Sequence, residues 1–233
     1  QEITTGVNNT ILGALAMDAT TTGSNNIAIG RDSLGANTAG SQNLAIGRLA
    51  LGSLNHTTAT NAYNVAVGPS SGGAITTGTQ NTLYGGLSGD ALTDADFNVA
   101  IGYHALGSDT LGSRSVAVGH AALFSQNFAT ATNANNTAVG YAAGTSITSG
   151  NQNTLLGTGA GDNLTTGTDN VAVGYAALDS EDAHGLNTAV GTLALLNLNA
   201  GTNAYNTALG YASGSQMTTG TFNTVLGGLA GDA

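Results

Sequence analysis

The stretch 136–186 decides the fold: NTAVGYAAGTSITSGNQ (136–152), NTLLGTGAGDNLTTGTD (153–169) and NVAVGYAALDSEDAHGL (170–186) are three copies of one seventeen-residue unit. Each copy opens on Asn-x-(Ala or aliphatic)-aliphatic-Gly, and the same opening recurs outward to both ends of the sequence. It begins at Asn9, Asn26, Asn43, Asn64, Asn81, Asn98, Ser115 (Ser replacing Asn), Asn136, Asn153, Asn170, Asn187, Asn206 and Asn223. The steps between them are 17, 17, 21, 17, 17, 17, 21, 17, 17, 17, 19 and 17 residues. A sustained period of this size marks a stacked-repeat architecture, in which each unit buries its apolar face only against its neighbours.

A longer period lies over the short one. The long steps follow Asn43, Ser115 and Asn187, so repeats come in sets of four, with excursions near residues 52–63, 124–135 and 196–205. Another phase shares the endings Gly89-Asp90, Gly161-Asp162 and Gly231-Asp232. This is tandem duplication of a four-coil block.

The motif alternates. Val171, Val173 and Tyr175 fall on one face of a strand and Ala172 and Gly174 on the other, because side chains alternate with period two. An apolar row on one face and a row of very small residues on the other predict a strand covered on both sides. Each aliphatic residue should rest on its counterpart one layer away, Val139 on Leu156 for example. The small face would then be free for close packing against another sheet or chain. Seventeen residues at about 3.3 Å each allow two short strands and two corners per coil. Recurring Gly72, Gly89, Gly144 and Gly161, which alternate by phase with Leu34, Leu106, Leu123 and Leu178, predict corners of positive φ. The expected fold is all-β: one repeat array over residues 1–233, a parallel β-solenoid of about 13 coils. With coils stacked at about 4.8 Å, the array would be a rod roughly 60 Å long.

The recurring Asn predicts a ladder, each side-chain amide bonding to the next coil. Its members are Asn9, Asn26, Asn43, Asn64, Asn81, Asn98, Asn136, Asn153, Asn170, Asn187, Asn206 and Asn223. The competing reading is a row of exposed amides that binds something. Core residues on either side of each Asn favour the ladder.

Composition narrows function by exclusion. Charged residues are 7% of the chain, with three Arg, no Lys and thirteen acidic residues, for a net charge of −10. That excludes a phosphate-binding surface for nucleic acid and electrostatic docking on anionic lipid. There is no Cys, hence neither a disulfide framework nor a thiolate metal site. No run approaches the ~20 apolar residues of a membrane helix, so direct membrane insertion is not expected. Thirty-six Gly and one Pro could suggest disorder, but 41% hydrophobic residues at a regular period point the other way. The first and last repeats read like internal ones, which predicts a window from a longer array or ends covered by neighbouring subunits.

Asn136-Thr-Ala-Val-Gly-Tyr141, Asn170-Val-Ala-Val-Gly-Tyr-Ala-Ala-Leu178, Asn206-Thr-Ala-Leu-Gly-Tyr211 and Asn98-Val-Ala-Ile-Gly-Tyr-His-Ala-Leu106 carry a family resemblance. The repeat resembles the head domains of trimeric autotransporter adhesins, and still more the repeat shafts of bacteriophage tail-fibre-like proteins. The resemblance covers essentially the whole chain. It implies a left-handed parallel β-roll, three chains wound side by side, and display on a cell or virion surface. The adhesin heads usually have a shorter repeat and continue into a neck, a coiled-coil stalk and an anchor; the tail-fibre relatives often end in a self-cleaving chaperone domain. No stretch of this sequence reads as any of these.

Catalytic chemistry is not expected. His56, His104, His120 and His184 are scattered, and no nucleophile elbow, P-loop or dinucleotide fingerprint occurs. No cofactor is implied, and no ligand-binding residue is assigned. Asp90, Asp94 and Asp96 are hard oxygen ligands on one loop and form the best calcium candidate, against the simpler reading of a solvated loop. Asp179, Glu181, Asp182 and His184 form a second acidic loop of the same kind. Arg31, Arg48 and Arg114 are isolated and expected at the surface. Tyr103, Tyr141, Tyr175 and Tyr211, with His120, follow the motif Gly; such a column either covers the edge of a thin core or stacks sugars.

The sequence therefore points to a structural or adhesive segment of an extracellular fibre. Its partners would be its own copies, side by side or end to end, and a host-surface glycan or protein receptor. A self-assembling filament and a glycan-binding module are the alternatives. An ice-binding face is disfavoured, because in-strand Thr alternates with Val, Ile and Leu along the array.

Overall fold

The computed structural model describes residues 3–232, which form a parallel β-solenoid of about 13 turns with no helix among them. The strands are β1 (Thr10–Leu12), β2 (Ile27–Ile29), β3 (Gly40–Ser41), β4 (Leu44–Ile46), β5 (Thr60–Asn61), β6 (Val65–Val67), β7 (Thr82–Tyr84), β8 (Val99–Ile101), β9 (Gly112–Ser113), β10 (Val116–Val118), β11 (Thr132–Asn133), β12 (Thr137–Val139), β13 (Thr154–Leu156), β14 (Val171–Val173), β15 (Thr188–Val190), β16 (Thr207–Leu209) and β17 (Thr224–Leu226). Two compact units divide them: Gln1–Arg114 with Phe128–Thr132, and Ser115–Asn127 with Asn133–Ala233.

In the first unit the motif strands pair in parallel in the order β1-β2-β4-β6-β7-β8; in the second the order is β10-β12-β13-β14-β15-β16-β17. Register follows the motif in every pair. Val139 faces Leu156 and Leu156 faces Val173, as the sequence predicts. The 21-residue step leaves the register intact, since Leu44 still faces Val65; the longer coil carries β5, which pairs with β3 of the coil before it, Gly40 against Thr60. The 19-residue step is absorbed likewise, with Thr188 facing Thr207.

Two features differ from the sequence expectation. First, a coil carries one three-residue motif strand rather than two. Its other side is a run of turns in which every second residue is left-handed, for example Asp32 and Leu34 at φ 58 and 50° and Ala176 and Leu178 at 48 and 55°. Gly72, Gly89, Gly144 and Gly161 do have the predicted positive φ, between 55 and 60°. The Leu that replaces Gly at this place has the same backbone. Left-handed geometry costs an L-residue roughly 1–2 kcal/mol, and burying a Leu side chain contributes about 1.5–3 kcal/mol, which offsets it. Leu34, Leu51, Leu106, Leu123 and Leu178 are all fully buried.

Second, the faces are inverted. Ala28, Ala45, Ala66, Ala100, Ala117, Ala138, Ala172, Ala189 and Ala208 are the inward-facing residues, fully buried, while the aliphatic row points outward. The reason is volume inside a narrow coil. The turn run delivers Leu51 or Leu106, and a residue eleven places after the motif Asn delivers Ile75, Leu92, Ile147 or Leu164, all into the same interior. Opposite Leu51 and Leu106 the strand has room only for Ala45 and Ala100. Where the strand does carry Leu, the turns carry Gly. A Cβ on Gly144 would lie 2.6 Å from Leu155 Cδ1, and one on Gly161 would lie 2.9 Å from Leu155 Cδ2. Leu83 stands in the same relation to Gly72 and Gly89, at 2.7 and 2.9 Å.

The motif Gly is fixed more strictly. Gly157 has φ +141°, and a Cβ there would lie 2.3 Å from the carbonyl oxygen of Gly174 in the next coil. The obstacle is backbone and cannot step aside.

Candidate functional site

The Asn ladder is built as predicted and faces inward. In the first unit, the backbone N–H of Asn26 donates to Asn9 Oδ1 at 2.9 Å, that of Asn43 to Asn26 Oδ1 at 2.9 Å, and that of Asn64 to Asn43 Oδ1 at 3.1 Å. Asn81 and Asn98 continue it at 3.0 Å each. In the second unit Asn153, Asn170, Asn187, Asn206 and Asn223 donate to Asn136, Asn153, Asn170, Asn187 and Asn206 at 2.9–3.2 Å. The side-chain amide nitrogens reach across the corner to carbonyls fourteen residues on, as Asn64 does to Gly78 at 2.8 Å and Asn153 to Gly167 at 2.9 Å. Each bond is worth about 1 kcal/mol net. Asn26 to Asn98 and Asn136 to Asn206 are buried and Asn9 and Asn223 half-buried, so the amides serve the stack and present no exposed binding row.

Ser115 has no amide to donate to its corner carbonyl, as Asn43 does to Ser41 and Asn187 to Gly185, and the structure fills its place with a residue the sequence reading missed. Gln126 is fully buried; its Nε2 donates to Ser115 Oγ at 3.0 Å, and its Oε1 accepts from Asn136 Nδ2 at 2.8 Å. The signal was available. Gln126 lies eleven residues after Ser115, where the sister blocks have Leu54 after Asn43 and Leu198 after Asn187.

Asp90, Asp94 and Asp96 are not gathered into one oxygen cage. Asp94 Oδ1 accepts from Thr77 Oγ1 at 2.5 Å, and Asp96 Oδ1 accepts from the N–H and Oγ1 of Thr79 at 2.6 and 2.9 Å. Both are rungs between coils. Asp90 is half-buried, and desolvation raises its pKa above the ordinary 3.8. The second acidic loop behaves differently: ligand-type atoms of Glu181, Asp182 and His184 lie within 4.8 Å of one another. Asp179 stays outside that group, and burial raises its pKa.

Arg31 pairs with Asp32 at 3.2 Å at the surface, and the Arg114 guanidinium lies 5.8 Å from the centre of the Phe97 ring. Tyr103, Tyr141, Tyr175 and Tyr211 are 51–60% exposed, so they do not cover the core. His120 stacks on Tyr141 with ring centres 5.2 Å apart and planes 14° off parallel.

The outward strand face of each unit is apolar and partly exposed. In the first unit it carries Ile27, Leu44, Val65 and Ile101, with a shallow groove of about 500 Å³ between Ile27, Leu44, Val65 and Tyr63. In the second it carries Val139, Leu156, Val173, Val190 and Leu209; Leu156 is 38% exposed and Leu209 47%. A continuous apolar row left to water is costly and marks a contact surface. No helix among the described residues is long and apolar enough to cross a membrane.

No protein-family model matches the chain, and no curated protein or solved structure matches it significantly.

Proposed function

We propose that this chain is a structural, adhesive segment of an extracellular fibre, on a cell surface or a virion, in which three copies pack side by side. The outward aliphatic row carries this reading. Val139, Leu156 and Val173 stack in register on the face turned away from the core, and another copy of the same face is the partner with matching spacing and chemistry. The resemblance of the Asn-x-Ala-Val-Gly-Tyr repeat to adhesin heads and tail-fibre shafts supplies the number three. It also supplies the extracellular setting and a glycan or protein receptor on a host surface. In a multimer, weak contacts along the loops add up through avidity.

Sedimentation equilibrium tests the assembly. The expected species has three chain masses, and Leu156→Glu shifts it to the monomer while leaving the β signature of circular dichroism unchanged. A wild-type monomer at tens of micromolar overturns this reading. End-to-end growth into filaments would appear instead as mass rising without limit with concentration.

A second reading, a glycan-binding module, is favoured by the exposed Tyr column and by the His120–Tyr141 stack, since flat aromatic rings pack on sugar faces. Loss of glycan-array signal in Tyr141→Ala would support it.

A further inference from the structure

We infer that Glu181, Asp182 and His184 form a binding site for a divalent transition-metal ion of the zinc class. The argument begins with a place in the coil. The eleventh residue after the motif Asn points into the core, where Ile75, Leu92, Ile147, Leu164 and Leu198 sit fully buried. Glu181 occupies the same place with a side chain of 0% exposure. An isolated carboxylate there is expensive and requires compensation.

The equivalent residues of the sister blocks show how a polar group is normally satisfied at this place. Asn37 accepts from the N–H of Gly40 at 3.0 Å and donates back to its carbonyl at 2.8 Å. Asp109 accepts from the N–H of Gly112 at 3.0 Å and from that of Phe128 at 3.3 Å. Glu181 has only the N–H of Ala200 on Oε2, at a long 3.5 Å, while its Oε1 has no hydrogen-bond partner. What has changed is the residue three places on. Gly40 and Gly112 have become His184, and the ring that sits over those glycines from the next coil, His56 or Phe128, has become Ala200. The third block thus removes a ring from one coil and places an imidazole beside the buried carboxylate.

The donor geometry suits a small cation. His184 Nδ1, also buried and without a hydrogen-bond partner, lies 3.4 Å from Glu181 Oε1 and 4.0 Å from Asp182 Oδ1. Ligand atoms at 2.0–2.2 Å from a tetrahedral zinc ion stand about 3.4 Å apart. One imidazole with two carboxylates is a borderline donor set that suits zinc or cobalt and leaves a fourth position for water or an outside ligand. Calcium would want six or more oxygens and no nitrogen. Asp182 is about half exposed, so the site opens to solvent. Hydrogen bonds to its backbone carbonyls hold its frame: the Thr165 N–H donates to the carbonyl of Asp182, and Asn170 Nδ2 donates to that of His184.

Isothermal titration of the metal-stripped chain with Zn²⁺, and absorption spectroscopy with Co²⁺, test the site. One saturable ion per chain is expected, with visible Co²⁺ bands. His184→Ala and Glu181→Gln should each weaken Zn²⁺ binding about 100-fold and Asp182→Asn about 10-fold. His184→Gly, which copies Gly40 and Gly112, serves as a folded control if the Ala variant misfolds. No stoichiometric uptake by the wild type means that Glu181 and His184 form only an ion pair, and it overturns the site. Uptake that survives His184→Ala places the ion elsewhere and overturns it equally.

Discussion

The coil that opens on Asn43 and the coil that opens on Ser115 occupy the same place in successive four-coil blocks, yet they solve the corner differently. In the first, Asn43 donates to its own corner carbonyl at Ser41 and accepts from Asn64, while Leu54 fills the interior. In the second, a shorter Ser is served by Gln126, which takes the place of that Leu. One polar network has been moved from the strand to the opposite wall of the coil. A deviation in this solenoid is tolerated where a neighbouring side chain can make it good. It is not tolerated where the neighbour is backbone.

That contrast can be tested by substitution. The largest effect is expected for Gly157→Ala, where both the φ of +141° and the carbonyl of Gly174 oppose a Cβ and no side chain can yield. A loss of about 4 kcal/mol or more in urea unfolding is expected; a loss below about 1 kcal/mol would mean that coil spacing is softer than argued. Next is Leu155→Ala, which empties the interior between Gly144 and Gly161 and should cost about 2–5 kcal/mol. Adding Gly161→Leu recreates the Ala-and-Leu pairing of the coil with Ala172 and Leu178, and should recover part of the loss. If the double variant is no better than the single one, size exchange across the coil is not the rule.

The Ser115 corner itself gives a double-mutant cycle. Gln126→Leu should cost about 1–3 kcal/mol, because the Asn136 amide and the Ser115 hydroxyl lose their buried partner. Ser115→Asn in that background restores the Asn43–Leu54 arrangement and should return stability to near wild type. Additive losses in the two single variants would show that the residues are not coupled.

The smallest effect concerns charge. Burial first, and then the nearby Asp179, raises the pKa of Asp162 above its ordinary 3.8. Folding therefore takes up a proton between 3.8 and the raised value, and stability contributed by this group increases as pH falls through that window. At neutral pH the ionised carboxylate is a burden, so Asp162→Asn should raise the melting temperature at pH 7 and narrow its gap to the value at pH 4. His56 acts in the opposite sense. Desolvation lowers its pKa, so its protonation opposes folding as pH drops below 6.5.

Much of this was legible because the code is local and repeated. The period fixed the register of Val139 on Leu156, the Asn at each corner had one partner within reach, and Gly72 or Gly144 announced its positive φ. The Gln126 substitution was legible too, as a paired departure from Leu54 and Leu198, but it shows only when the blocks are aligned against one another. The gathering of Glu181, Asp182 and His184 could not be separated in sequence from the neighbouring Asp179, because which of four adjacent polar residues turns inward depends on the turn run.

By itself the sequence determined a stack of parallel coils, their register and their hydrogen-bonded corner, since these follow from residue types recurring at a fixed spacing. Only the tertiary structure decided which face of each strand is inside. Alternation distinguishes the two faces without saying which is buried. The choice falls to the volume that Leu51, Ile75 and their equivalents bring from the far side of the coil, which leaves room for Ala on the strand and turns Val, Ile and Leu outward.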